Sequence, residues 1–136
     1  MRVLGVSKEW PKLKQDVFTT FRFPRRDKDW QPYEFVRIVL HPRRKGGGTV
    51  LGTAQIHHIE PRRIVNAPFL SYKVPIVTDR EAVADGFLTY NDMRTWLAKA
   101  YGESALAREP MNKLTLHWVR REVASVVDNL GQPATK

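Results

Sequence analysis

The sequence contains no cysteine in its 136 residues, which excludes disulfide bonds and thiolate-ligated metal sites. Long hydrophobic runs are also lacking, since no stretch approaches the roughly 18–20 apolar residues that a membrane-spanning helix needs. The first ten residues, MRVLGVSKEW, have too short an apolar stretch for a signal peptide. We therefore expect a cytoplasmic protein with no membrane partner.

Familiar catalytic and cofactor motifs are scarce. If residues 49–60 form a strand, the adjacent His57 and His58 point to opposite faces and do not readily share a metal ion. The GGGT stretch lacks the Lys-Ser/Thr of a phosphate-binding P-loop. No arrangement of serine, histidine and aspartate suggests a catalytic triad. We therefore predict neither a metal site nor a cofactor.

Positive charge is abundant and unevenly distributed. The net charge is +9, and residues 1–63 hold 14 Lys and Arg against 6 Asp and Glu, whereas residues 64–136 hold 9 against 8. Such an asymmetry is typical of a surface that faces a polyanion. The alternatives are a merely solvated basic face and an anionic membrane surface, but no basic amphipathic helix supports the latter. The charge favours a nucleic-acid partner.

Alternation of side chains predicts strands in the first half and near the end. VFTTFRF (17–23) and EFVRIVLH (34–41) carry β-branched and aromatic residues. TVLGTAQIHHIE (49–60) reads as a strand bent at Gly52, and NKLTLHWVRREV (112–123) as the last strand. Between the second and third strands, HPRRKGGG predicts a turn with a basic tip.

Two helices are predicted in the second half. Thr78 and Glu81 form a capping box for a helix that ends at Gly86. Thr89 caps a helix over about 90–101, closed by Gly102. Its apolar face is expected to pack in the core and consists of Met93, Trp96, Leu97, Ala100 and Tyr101.

The order of elements predicts an α+β fold, a small β-barrel flanked by two or three short helices. The predicted domain covers residues 1–123, and the tail 124–136 is expected to be partly disordered.

Four stretches together resemble the ASCH domain family, which has a PUA-like β-barrel: TTFRFPRRDKDW, LGTAQIHHIEPRR, TDREAVADGFLTYNDMRTWLAKAYG and PMNKLTLHW. The resemblance covers about residues 3–120 and rests on their order and spacing. It implies binding of RNA or another single-stranded nucleic acid in a cleft lined by the early strand. Some members are acetylcytidine amidohydrolases or ribonucleases.

The amidohydrolases resemble a pattern Gly-x-Lys-Thr-x-Thr-x-Arg with a downstream acid. Here Arg22 and Thr20 match, the acid falls near Asp85, and the lysine position falls on Val17. Lys14 is an alternative source of that lysine. The resemblance thus implies catalytic roles for Thr20 and Asp85 only if the protein is an enzyme.

The sequence therefore predicts single-stranded nucleic-acid binding, with an RNA or acetylcytidine-type hydrolase as the alternative and a protein-interaction adaptor as a third class. The resemblance implies that Arg22 and Thr20 lie in the cleft. The cations around them can contact phosphates, and the aromatic side chains among those cations can stack on unpaired bases. The expected nucleic-acid contacts are Lys14, Thr20, Arg22, Arg25, Arg26, Lys28, Arg43, Arg44 and Lys45.

Overall fold

A computed structural model describes residues 1–65 and 73–122 of the protein. Its strands are β1 (Arg2–Val6), β2 (Val17–Arg22), β3 (Phe35–Leu40), β4 (Thr49–Arg62) and β5 (Met111–Arg121). Its helices are α1 (Asp79–Asp85), α2 (Tyr90–Tyr101) and α3 (Glu103–Arg108), with a short 3₁₀ helix at Pro11–Lys14. The predicted α+β class is confirmed, and the predicted tail 124–136 lies outside the described residues.

The five strands form one mixed sheet in the order β1-β3-β4-β5-β2. β1 pairs with β3 in parallel, and the remaining neighbours are antiparallel. Within the described ranges no strand ladder joins the edge strands β1 and β2, so the sheet is open there. A side chain connects them instead: Arg22 Nη2 donates to the carbonyl oxygen of Gly5 at 2.8 Å.

The strand boundaries agree with the sequence pattern to within two residues. The predicted bend at Gly52 is confirmed, because the pairing of β3 with β4 shifts register immediately after Ile38, the partner of Gly52. A second shift, between Thr53 and Ala54, alters the pairing of β4 with β5. Such bulges increase the twist and coiling of the sheet.

Buried side chains form two hydrophobic clusters. The first is built mainly from strands and includes Phe18, Val36, Ile38, Ile56, Leu114 and Leu116. The second joins the helices to the sheet and includes Phe21, Ile64, Met93, Leu97, Leu106 and Met111. Phe18 and Phe21, three positions apart on β2, thus contribute to different clusters, as strand alternation requires.

The predicted start and end of α1 are both confirmed. The Thr78 hydroxyl accepts from the Glu81 backbone N–H, and the Glu81 carboxylate accepts from the Thr78 N–H. Gly86 ends the helix with φ of 114°, and a Cβ there would lie 2.9 Å from the ring of Trp10. This glycine therefore permits both the left-handed turn and the close approach of the tryptophan.

The structure confirms that α2 is capped by Thr89 and ends before Gly102. However, the prediction that its whole apolar face packs in the core is wrong. Met93 and Leu97 are buried, whereas Ala100 is exposed and Trp96 and Tyr101 are 39% and 46% exposed. The two aromatic residues line a cavity instead. No helix in the described ranges is long and apolar enough to cross a membrane.

Candidate functional site

A cavity of about 150 Å³ lies where β1, β2 and the 3₁₀ helix meet α1 and α2. Its polar and charged lining residues are Ser7, Lys12, Thr20, Arg22 and Asp85. Its aromatic lining residues are Trp10, Phe21, Phe87, Trp96 and Tyr101. Charged groups and aromatic rings therefore converge on one small space.

A buried ion pair is the main electrostatic feature of this cavity. Lys12 Nζ lies 2.6 Å from Asp85 Oδ1, and both side chains are less than 10% exposed. Lys12 Nζ also donates to the Thr19 carbonyl oxygen at 2.6 Å. The lysine thus connects the end of α1 to the edge of β2.

Burial shifts the pKa values of both partners. It lowers the pKa of Lys12, and the charge and hydrogen bond of Asp85 oppose that shift. It raises the pKa of Asp85, against the charge and hydrogen bond of Lys12 and the charge of Arg22. Because both charged forms lose hydration, moving the proton from Nζ to the carboxylate costs less than it would in water.

Thr20 and Arg22 lie beside this ion pair on β2. Arg22 Nε donates to Thr20 Oγ1 at 3.2 Å, and Arg22 Nη2 holds the Gly5 carbonyl. Burial lowers the pKa of Arg22, although the charges of Tyr101 and Asp85 oppose that effect. Thr20 is 6% exposed. The arginine therefore orients the threonine hydroxyl while its own guanidinium group lines the cavity.

Local sequence explains how these side chains meet. Pro11 begins the 3₁₀ helix, in which Lys12 and Leu13 are both buried. Asp85 is the last residue of α1, and the turn at Gly86 allows Trp10 to pack against the helix end.

The aromatic rings form a contiguous wall. The ring centroid of Trp10 lies 5.2 Å from that of Phe87 and 5.9 Å from that of Trp96. The tilted and edge-on arrangements are those that aromatic pairs prefer. This wall fixes the position of Trp96 although that side chain is partly exposed.

A larger, more open cavity of about 540 Å³ adjoins the first. The two share Gly5, Val6, Ser7 and Arg22, and the larger one adds His41, Pro42, Arg43 and Arg44 from the turn after β3. Arg22 therefore separates a small aromatic space from a wider basic one.

The structure brings together the three residues predicted for the cleft, since Thr20, Arg22 and Asp85 line the same cavity. Arg43 and Arg44 line the adjoining one. The remaining predicted contacts are exposed and line neither cavity: Lys14, Arg25, Arg26, Lys28 and Lys45. Of these, Arg25 pairs with Asp27 and lies over the Trp30 ring.

The residue that sequence reasoning missed is Lys12. Lys14 was the alternative source of the lysine that Val17 does not supply, yet Lys14 is exposed and Lys12 reaches Asp85. A 3₁₀ helix this short shows no repeating pattern of hydrophobic residues. The sequence therefore does not indicate which of the two nearby lysines points into the protein.

Comparisons of this chain with protein-family models, with curated proteins and with solved structures found no match.

Proposed function

We propose that the small cavity binds one unpaired base of RNA or another single-stranded nucleic acid, in a domain of the PUA-like ASCH type. The observation that carries this proposal is the convergence of Thr20, Arg22, Asp85 and the buried Lys12 on one aromatic-walled cavity. The near approach of β1 and β2 through Arg22 supports the proposed barrel-like fold.

The chemistry of the cavity suits a nucleobase. Aromatic faces stack on bases of any sequence, and base edges carry both donors and acceptors. Lys12 and Arg22 offer donors, while Asp85 offers an acceptor. Outside the cavity, the excess of cations in residues 1–63 favours contact with phosphates.

The test is binding of a labelled single-stranded RNA as a function of salt concentration. We expect affinity to fall steeply with salt, and Arg25→Glu combined with Arg26→Glu to weaken binding without unfolding the protein. A salt slope near zero, or unchanged affinity in this double variant, would remove the exposed cations from the interface.

A matched pair of aromatic substitutions tests the cavity itself. Trp96→Ala removes a stacking surface, so we expect it to weaken binding by about 1–3 kcal/mol. Tyr33→Ala is the control, because Tyr33 is 69% exposed and lines neither cavity. Equal losses in the two variants would show that the base does not enter the cavity.

A second candidate function is hydrolysis, of an acetylcytidine-type amide or an RNA phosphodiester. The buried Lys12–Asp85 pair favours it, because ionisable groups whose pKa values are shifted by burial in a cleft are typical of acid-base catalysis. In the amide reaction, water would add to the acyl carbonyl and lose a proton to the pair. The C–N bond would then break as the pair returns a proton to the leaving amine, giving acetate and the free base amine.

Incubation with acetylcytidine and with single-stranded RNA tests this candidate. If the protein is a hydrolase, Thr20→Val and Lys12→Met should abolish turnover. Lys14→Met is the control, since Lys14 lies on the same 3₁₀ helix but is exposed. Absence of turnover in the unsubstituted protein, with binding retained, would leave base recognition as the function.

A further inference from the structure

We infer that the larger cavity is a phosphate subsite, so that the ligand is a nucleotide whose base lies in the small cavity, rather than a free nucleoside. The base placement rests on the proposed function, whereas the anion subsite has its own geometric support.

The first support is the charge of the lining. The larger cavity is lined by three arginines, Arg22, Arg43 and Arg44, together with His41 and Ser7, and its described lining residues include no aspartate or glutamate. Guanidinium groups bind phosphate oxygens through two parallel hydrogen bonds, and arginine is preferred wherever such recognition is needed. This lining therefore suits a phosphate better than a neutral ligand.

The second support is that two of these arginines form no ion pair with any carboxylate in the described part of the chain. Among residues 1–65 and 73–122, no carboxylate forms an ion pair with Arg43 or Arg44. By contrast, Arg25 pairs with Asp27, and Arg62 pairs with Glu81. The turn thus keeps two guanidinium groups available at the cavity.

The third support is that the turn is fixed beside the site. The His41 backbone N–H donates to the Val6 carbonyl at 2.9 Å. A Cβ at Gly5 would lie 2.6 Å from Cγ of Pro42, so a side chain at this position would push the turn away from β1. The absence of a side chain at Gly5 therefore brings the basic turn against the edge strand that lines both cavities.

The continuity of the two cavities determines the class of ligand. They meet at Gly5, Val6, Ser7 and Arg22, so a single ligand can occupy both. When the base of a nucleotide lies in the aromatic cavity, the phosphate of the same nucleotide lies in the basic cavity, with Arg22 between them. A nucleoside would leave the basic cavity empty.

Calorimetric titration at fixed ionic strength tests this inference. The probes are the four ribonucleosides, their 5′- and 3′-monophosphates, and inorganic phosphate. We expect at least one monophosphate to bind about tenfold or more tighter than its nucleoside. The double variant Arg43→Ala/Arg44→Ala should lose this advantage and bind the nucleoside as before.

Two further variants keep the test specific. Lys45→Ala is the control, because Lys45 is a cation of the same turn but lines neither cavity. This variant should still bind the monophosphate more tightly than the nucleoside. Gly5→Ala should weaken monophosphate binding although it changes no charge. An equal loss in Lys45→Ala would mean that the effect is general charge attraction and would overturn the subsite.

The outcomes for the base and the phosphate are separable. If a nucleoside binds and its monophosphates bind no tighter, the subsite is overturned and the proposed function stands. If inorganic phosphate binds in a manner that needs Arg43 and Arg44 while no nucleoside binds, the subsite stands and base recognition fails.

Discussion

Two of the carboxylates of helix α1, Glu81 and Asp85, lie one turn apart, and their pKa values are shifted in opposite directions. Both have cationic neighbours and both are mostly buried, with side-chain exposures of 12% and 9%. Comparing them separates a carboxylate that joins elements of the fold from a carboxylate that belongs to the candidate site.

Glu81 has several donors. It accepts from Lys113 Nζ at 2.7 Å, from Arg62 Nε at 3.0 Å, and from the Thr78 backbone N–H at 3.0 Å. Burial alone would raise the pKa of Glu81, but these hydrogen bonds and the charges of Lys113 and Arg62 outweigh it and lower the pKa. Glu81 therefore fixes the start of α1 and joins it to β4 and β5.

Asp85 accepts from one side chain in the described part of the protein, Lys12. Here burial prevails, and the pKa of the carboxyl is raised. An ion pair that does not recover its lost hydration is kept at a cost in stability. We infer that a full set of donors makes a buried carboxylate structural, whereas a single hydrogen-bonded cation leaves it able to exchange a proton.

The largest expected effect is the loss of folding stability when the Lys12–Asp85 ion pair is broken. Asp85→Ala leaves the Lys12 ammonium buried without its anionic partner, so we expect a loss of about 3–5 kcal/mol in the free energy of unfolding. The double variant Lys12→Met/Asp85→Leu should recover most of that loss. Urea denaturation measures both, and a double variant as unstable as the single one would show that the charges themselves stabilise the fold.

A smaller effect is expected at Glu81. Glu81→Gln keeps the shape but removes the charge that Lys113 and Arg62 contact, so we expect a loss of about 1–3 kcal/mol in the free energy of unfolding. Ligand binding should not change, because Glu81 lines neither cavity. Glu9→Gln, at an exposed glutamate, serves as the control. Weakened ligand binding at unchanged stability would reverse the assignment of roles.

The smallest effect is in the pH dependence of stability, which should have opposite signs at the two carboxylates. The pKa of Glu81 is lowered from 4.5. Its contribution to the free energy of unfolding is therefore present above pH 4.5 and is lost as the pH falls through the pKa of the folded state. The pKa of Asp85 is raised from 3.8. Its contribution to the free energy of unfolding is therefore present below pH 3.8 and is lost as the pH rises through the pKa of the folded state.

Unfolding curves recorded across the acid range check these signs. As the pH rises, the stability of the unsubstituted protein relative to Glu81→Gln should increase, whereas its stability relative to Asp85→Asn should decrease. Parallel trends for the two variants would contradict the difference that we draw between the carboxylates.

The features that could be predicted from the sequence are those that local patterns determine. The alternation in β2 and the capping box at Thr78 are local, and both were confirmed. The resemblance placed Thr20, Arg22 and Asp85 together, and the structure does bring them to one cavity.

The remaining features depend on tertiary packing. Trp96 and Tyr101 have the spacing of core residues, and only the packing of α2 against the rest of the protein shows that they line a cavity. Lys12 is buried because Asp85 approaches it from 73 residues away along the chain. Neither fact has a signature in a short stretch of sequence.

The two cations of the cavity also bear on aggregation. Alternate residues of an edge strand turn their backbone carbonyls away from the sheet, where another chain can pair with them. The Gly5 carbonyl on β1 accepts from Arg22 Nη2, and the Thr19 carbonyl on β2 accepts from Lys12 Nζ. These side chains occupy the acceptors that an invading strand would use. Substituting either lysine or arginine should therefore promote self-association as well as impair the site.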